Sequence, residues 1–238
     1  MTDSTAARNF TATRWSVVLA AAGEADSALA VLCRAYWFPL YAFVRRQGVS
    51  PPDAEDLTQG FFTHLLGKGA LASVDRGKGR FRTFLLASLK HYLADQRDRA
   101  AAQKRGGGKS PISLDACSAE ERYAVEPRHE LSPDRLFDRR WALAVIEQAL
   151  ERLRHEYAVG GKETLFSELK PLLTAPGEAR PYAEIGATLG MNEGAVKVAV
   201  HRLRQRYGAA LRAEIAETVE SPSEVDAELR YLLEALGS

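Results

Sequence analysis

The sequence predicts an all-α protein of two small helical domains joined by a flexible acidic linker, with a helix-turn-helix in the C-terminal domain. Apolar residues recur at intervals of three and four along most of the chain, which is the spacing of a buried helix face. Segments rich in Gly and Pro separate these stretches, and none of the stretches needs to be a strand. The 238 residues, of which 46% are hydrophobic and 26% charged, suit one or two globular domains.

The first predicted helix runs from Ser27 to Gln47, where apolar residues dominate with helical spacing. Pro39 interrupts this stretch and Gly48 closes it, so the sequence predicts one helix or a kinked pair. A second helix is predicted to start directly after Ser50. Ser is a favoured N-cap, Pro suits the first helical position, and Asp53 completes a capping box.

Acidic residues stand at the start of this second helix. Its inner stripe consists of Ala54, Leu57, Phe61 and Leu65. The residues that point elsewhere are Glu55, Asp56, Gln59 and Thr63. Because the helix dipole favours carboxylates in a first turn whatever their use, these residues by themselves indicate a structural role.

A Gly-rich basic loop, Gly67 to Gly79, precedes a third predicted helix that starts near Phe81. At 100° per residue, three cations fall about 80°, 60° and 40° from Arg82 and form a basic stripe with it: Lys90, Arg97 and Lys104. Aromatic and His side chains lie among these cations, as in proteins that stack exposed bases on rings. The spacing of Phe84 and Tyr92 nevertheless favours a place in the core.

The composition divides the chain into four parts: a helical domain at 1–105, a linker at 106–132, a second helical domain at 133–220 and an acidic helical extension at 221–238. The linker opens with three glycines and has no sustained periodicity. In the second domain, helices are predicted over Phe137–Tyr157 and about Glu163–Leu173. In the extension, Ser221 to Glu224 forms a capping box that opens a short leucine-bearing helix.

The segment from Pro181 to Tyr207 has the residue classes of a helix-turn-helix at the required spacing. Its first helix, Tyr182–Leu189, ends at Gly190, which suits a left-handed cap. Asn192 then caps a second helix that starts at Glu193. The two predicted helices therefore meet across a very short turn.

The second of these helices has a buried stripe and a basic outer face. The buried positions are Val196, Val200, Leu203 and Tyr207, and the outward ones include Lys197, His201, Arg204 and Gln205. Such a face suits a recognition helix that reads base edges in a DNA major groove. The alternative is an αα-hairpin with a solvated face, since Gly-containing turns between helices are common.

The formal net charge of +1 conceals charged blocks along the chain. Residues 76–109 hold ten Lys or Arg and two Asp, a balance of +8, and residues 180–212 hold six basic and two acidic residues, a balance of +4. Residues 110–138 hold three basic and seven acidic residues (−4), and the tail 213–238 holds one and seven (−6). The two basic blocks indicate contacts with a polyanion at two places.

The composition also argues against several classes of protein. Cys33 and Cys117 form no CxxC pair or Cys/His cluster, so neither a disulfide framework nor a structural zinc site is expected. The apolar run Trp15–Gly23 is too short to span a membrane and lacks the basic lead-in of a signal peptide. We therefore expect a cytoplasmic protein without a metal or cofactor.

A family resemblance lies in the order of three segments: DAEDLTQGFF (Asp53 to Phe62), FRTFLLASLKHYLADQRDR (Phe81 to Arg99) and, after an acidic linker, YAEIGATLGMNEGAVKVAVHRLR (Tyr182 to Arg204). In this order they resemble the bacterial RNA polymerase sigma factors of the sigma-70 family. The most similar type is the extracytoplasmic-function subgroup. The resemblance covers roughly residues 27–105 and 137–212.

The resemblance implies a transcription initiation factor rather than an enzyme. Its first domain would dock on core RNA polymerase and open the minus-ten promoter element, and its second would bind the minus-thirty-five element. The polymerase-binding residues it implies are Asp53, Glu55, Asp56 and Gln59. Those it implies for minus-ten DNA are Lys78, Arg80, Arg82, Lys90, His91 and Arg97. On the recognition helix it implies Asn192, Lys197, His201, Arg202, Arg204 and Gln205.

Some positions depart from the family pattern. Family members often have small polar residues where this chain has Ala195 and Val198, and an Arg where it has Ala199. Base reading is therefore expected to shift toward Lys197, His201 and Arg202.

Three kinds of regulation are hypotheses at this point. The tail after Ser221 could cover a DNA-binding face until polymerase displaces it, although its charge favours the simpler interpretation of solvated acids. Phosphorylation of Thr63, or of Thr58, would add charge beside the acidic segment and tune polymerase docking, which requires a kinase. An anti-sigma protein would be a further partner.

Two rival interpretations remain. A stand-alone helix-turn-helix regulator would bind duplex DNA without polymerase, and a dimer with a palindromic site would support it. A metal-dependent nuclease would use Asp53, Glu55 and Asp56 as ligands, since hard cations prefer carboxylate oxygens. The second is disfavoured because no convergent His, Lys or further acid accompanies them.

Overall fold

Helices make up the regular secondary structure of the described chain. The structure is a computed structural model and describes residues 25–66, 80–102, 116–124, 131–174, 180–219 and 221–237. Within those ranges it contains no strand, which confirms the all-α prediction. The chain divides into two units, the first formed by Met1–Ala144 with Ile215–Ser238 and the second by Val145–Glu214.

The described residues form ten α-helices along the chain. In order they are α1 (Ala25–Arg46), α2 (Pro51–Leu66), α3 (Phe81–Ala102), α4 (Ala116–Ala124), α5 (Pro133–Val159), α6 (Glu163–Leu169), α7 (Pro171–Thr174), α8 (Tyr182–Leu189), α9 (Glu193–Ala216) and α10 (Val225–Gly237). A 3-10 turn, Pro222–Glu224, leads into α10. Of the two alternatives for the first helix, the structure has one helix that continues through Pro39. It ends near Gly48, whose φ of +83° lies in the left-handed region that favours glycine.

The core of the first unit consists of large side chains from four helices. The completely or almost completely buried ones are Tyr36 and Leu40 of α1, Phe61 of α2, Phe81, Leu85 and Leu89 of α3, and Phe137 and Trp141 of α5. The rings of Tyr36 and Phe81 meet edge to face with their centroids 5.4 Å apart. Each such side chain contributes about 1.5 to 3 kcal/mol when it leaves water. This packing fixes which side of α3 turns inward.

The segment predicted to be a flexible linker contains a helix. The Glu120 carboxylate of α4 accepts hydrogen bonds from Tyr41 Oη at 2.6 Å and from Arg45 Nε at 2.9 Å. The hydrogen bond from Arg45 lowers the pKa of the Glu120 carboxyl. The described helix within the predicted linker bounds 106–132 is therefore joined to α1 in the first unit.

The unit boundaries also differ from the predicted domains at 133–220 and 221–238. Pro133–Ala144 and the C-terminal residues from Ile215 onward belong to the first unit. α5 begins at Pro133 rather than at Phe137, since Ser132 Oγ accepts a hydrogen bond from the Arg135 N–H at 3.3 Å. The acidic extension is thus part of a folded unit.

In the second unit, α8 has the bounds that the sequence predicts, α9 starts at the predicted residue, and both predicted caps are present. Gly190 ends α8 with a φ of +65°, and the Met191 N–H donates to the Gly186 carbonyl at 2.8 Å. The Ala195 N–H donates to Asn192 Oδ1 at 2.8 Å and so caps α9. The core beneath them includes Leu153, Phe166, Leu169, Ile185, Val196, Val200 and Leu203.

Candidate nucleic-acid interface

The acidic end of α2 combines capping with exposure. Ser50 Oγ donates to the Asp53 carboxylate at 2.6 Å and accepts from the Asp53 N–H at 3.4 Å, which confirms the predicted cap. Asp53 and Asp56 are exposed, whereas Glu55 and Gln59 are half-buried. The carboxylates of Asp53 and Asp56 are therefore accessible to a basic partner.

The two threonines proposed for phosphorylation differ in accessibility. Thr58 is completely buried, and its Oγ1 donates to the Ala54 carbonyl at 2.7 Å. Thr63 is exposed, and its Oγ1 donates to the Gln59 carbonyl at 3.1 Å. A kinase could therefore reach Thr63 but not Thr58 in this fold.

The predicted basic stripe of α3 is only partly a surface feature. Lys90, His91 and Arg97 are exposed, and Arg80, just before the helix, is half-buried. Arg82 is buried, with a residue exposure of 6%, which corrects the expectation that it faces outward with the others. Lys78 lies outside the described residues, as do the loop Gly67 to Gly79 and Lys104.

Arg82 is buried because two carboxylates compensate its charge. Its Nε lies 2.7 Å from Glu228 Oε1 of α10, and its Nη1 lies 3.0 Å from Asp138 Oδ1 of α5. Its guanidinium carbon lies 3.8 Å from the centroid of the Tyr231 ring. Burial acts to lower the pKa of Arg82, but the hydrogen bond and charge of Glu228, with Asp138, outweigh it and raise that pKa.

Arg80 and Tyr231 complete this cluster. Arg80 Nε lies 2.8 Å from Glu228 Oε2, so a single carboxylate faces both arginines. Tyr231 Oη donates to Asp138 Oδ2 at 2.5 Å. Burial and then this hydrogen bond raise the pKa of the Tyr231 hydroxyl. The first basic residues of the α3 region are thus engaged by acidic residues of the same chain.

Farther along α3, two further cations have partners in the chain. Lys90 forms an ion pair with Asp134 at the start of α5. Arg97 Nη2 donates to the Gln47 side-chain oxygen at 2.6 Å. All of these groups except Gln47 are substantially exposed, and such contacts contribute little and give way readily to another anion.

The outer face of α9 is polar and basic, as predicted. Val196, Val200 and Leu203 are buried, and Tyr207 is half-buried. The predicted DNA-contacting residues are all exposed: Asn192, Lys197, His201, Arg202, Arg204 and Gln205. Lys197 Nζ lies 2.8 Å from the Glu193 carboxylate one turn earlier, and the hydrogen bond to Glu193 raises the pKa of Lys197.

Next to these cations lies an apolar strip, which the sequence analysis did not assign to the site. Val198 is half exposed (50%), which is unusual for a large apolar residue in the described part of this chain. It lines a groove of about 530 Å³ on one side of α9, together with Ala195 and Met191. Lys162, Arg202 and Arg206 also line this groove. The signal in the sequence was an apolar residue at an outward position of a helix.

Within the described ranges, no three His, Cys, Asp or Glu side chains are grouped so that they could hold a metal ion. In the same ranges, no helix has the length and apolar character needed to cross a membrane. Comparison of the chain with protein-family models, with curated proteins and with solved structures gives no match.

Proposed function

We propose that this chain is a transcription initiation factor that binds core RNA polymerase and directs it to specific promoters. The observation that carries the proposal is the outer face of α9, where five of the predicted polar or basic side chains and the capping Asn192 are exposed, while the other face of the helix is buried. The Gly190 and Asn192 caps define the short turn between α8 and α9. As a helix-turn-helix, this pair would place the N-terminal half of α9 in a major groove. This unit would bind the minus-thirty-five element, and the protein would act in the cytoplasm.

The first unit supplies the other two activities of the proposal. The exposed carboxylates of Asp53 and Asp56 would dock on a basic surface of the polymerase. Lys90, His91 and Arg97 would contact the phosphates and bases of the minus-ten element. Extruding a base costs a few kcal/mol, and binding to the unstacked strand offsets that cost, so opening needs no catalytic residue, metal or cofactor.

The direct test adds the purified chain to core RNA polymerase and a promoter library, and sequences the run-off transcripts. We expect initiation at promoters that share two elements, and Lys197→Ala with His201→Ala should alter preference only at the upstream element. Arg154→Ala removes an exposed cation of the same unit on α5 and serves as the control. Absence of specific initiation would refute the proposal, and palindromic DNA binding unaffected by polymerase would favour a stand-alone regulator.

A finer prediction concerns base reading by Val198. The C5-methyl of thymine is an apolar group that a base edge presents in the major groove, and the exposed Val198 side chain suits contact with it. Replacing the contacted thymine of the upstream element by uracil should weaken binding about fourfold, the effect of one methyl-sized apolar contact. Titration of DNA duplexes that differ only in this methyl measures the effect.

The matched variants make this prediction specific. Val198→Ser should bind the thymine and uracil duplexes equally. Val159→Ser removes another exposed valine of the second unit, at the end of α5, and should keep the fourfold difference. Equal binding of both duplexes by the parent protein would exclude the Val198 contact while leaving promoter recognition intact.

A further inference from the structure

We propose that the guanidinium groups of Arg80 and Arg82, here named the arginine site, form a binding surface for nucleic-acid phosphates that α10 occupies in cis. In the structure, the ligand of this surface is the Glu228 carboxylate, which lies within 2.8 Å of a nitrogen of each arginine. Displacement of α10 would open the surface. The inference goes beyond the proposed function but relies on it for the nucleic-acid ligand.

The chemistry of the arginine site suits a phosphate. The Nε atoms of the two guanidinium groups lie close to the two oxygens of one carboxylate. Guanidinium N–H groups form charge-assisted hydrogen bonds with phosphate oxygens as they do with carboxylate oxygens. Arg80 immediately precedes α3, and Arg82 lies in its first turn. Farther along the helix, the exposed Lys90 and Arg97 add positive charge. A strand bound along those two cations would therefore reach the arginine site next.

The position of Glu228 indicates a fitted occupant rather than a solvated acid. Its side chain is completely buried, although charged residues are almost never fully buried unless they are paired. It lies between buried apolar residues of the same helix, Val225 and Leu232, which hold α10 in place. Tyr231 adds a ring over Arg82 and a hydrogen bond to Asp138. Charge and apolar packing both position α10 on this surface.

Glu228 differs in exposure from another acidic residue of the tail. Glu234 of the same helix carries the charge of the tail but is exposed, whereas Glu228 is buried against the two arginines. Glu228 and Glu234 therefore separate two explanations. An effect of general negative charge would depend on both residues, whereas occupation of the arginine site by α10 would depend only on Glu228.

The first experiment measures binding of a fluorescein-labelled single-stranded oligodeoxynucleotide of 15 nucleotides to the full chain. Glu228→Gln keeps the size of the side chain but removes its charge, so more molecules should have the arginine site open. Because apparent affinity scales with that fraction, we expect binding about tenfold tighter than that of the parent. Glu234→Gln should bind like the parent. A folded Glu228→Gln variant with parental affinity would overturn the inference.

The second experiment uses the unsubstituted protein, so it does not depend on how a variant folds. Hydrogen exchange is followed in α10 with and without saturating oligodeoxynucleotide. If nucleic acid displaces α10, the amides of this helix lose protection on binding, while those of α1 do not. Unchanged protection of α10 in the bound state would overturn the inference but leave nucleic-acid binding in place. No binding by any variant, together with no promoter-specific initiation, would instead refute the proposed function.

Discussion

Replacing both Asp53 and Asp56 by arginine is expected to abolish binding to core RNA polymerase, with a loss of affinity of about a hundredfold or more. Both side chains are exposed on the first turns of α2, and reversal places two cations against a basic partner surface. Juxtaposing like charges at an interface costs several kcal/mol. Co-sedimentation or fluorescence titration with the core enzyme measures the loss.

Two controls separate docking from folding. Glu121→Arg makes a single charge reversal at an exposed site on α4 and should leave binding unchanged. Asp56→Arg alone spares the cap of α2, since the capping hydrogen bonds join Ser50 to Asp53. The double variant should still bind the minus-thirty-five duplex, because the second unit is not altered. Parental affinity of the double variant for the core enzyme would contradict the docking assignment.

The second large effect is expected from a methyl group at Gly186. A Cβ there would lie 2.5 Å from the Met191 carbonyl oxygen, a backbone atom that cannot move aside without disturbing the turn before α9. Gly186→Ala should therefore destabilise the second unit by about 1 to 3 kcal/mol, the usual cost of overpacking. Binding to the minus-thirty-five duplex should fall in parallel.

Gly208→Ala is the matched control, and its effect should have the opposite sign. Gly208 lies within α9, and a Cβ there would have no neighbour within 4 Å. The same substitution should stabilise the helix by about 0.5 to 1 kcal/mol, because Ala loses less backbone entropy than Gly. Hydrogen exchange of α8 and α9 in both variants measures the two effects. Stabilisation by both substitutions would show that the space beside Gly186 accommodates a methyl group.

Local signals predicted the helices well. Ser50, Gly190 and Asn192 act within a few residues of their own position, so the start of α2, the end of α8 and the start of α9 follow from the sequence. The inner stripe of α9 was predicted for the same reason, since helical periodicity depends on one helix only.

Contacts between distant residues could not be predicted in this way. The angular argument placed Arg82 on a basic outer stripe, but its partner Glu228 is 146 residues away and comes from a segment expected to be a separate extension. Likewise, Glu120 binds Arg45 across 75 residues and brings the expected linker into the first unit. Periodicity shows that a helix has a polar side, but not which other segment covers that side.

The stacking of Arg82 on Tyr231 has a consequence for which residues position 82 can accept. A lysine there would keep the positive charge but would lose the planar group that lies over the ring and the second donor that reaches Asp138. Glutamine would keep a planar amide and leave Glu228 buried beside only one arginine. Position 82 therefore requires the shape of arginine as well as its charge, so exchange for another basic residue is not a conservative change there.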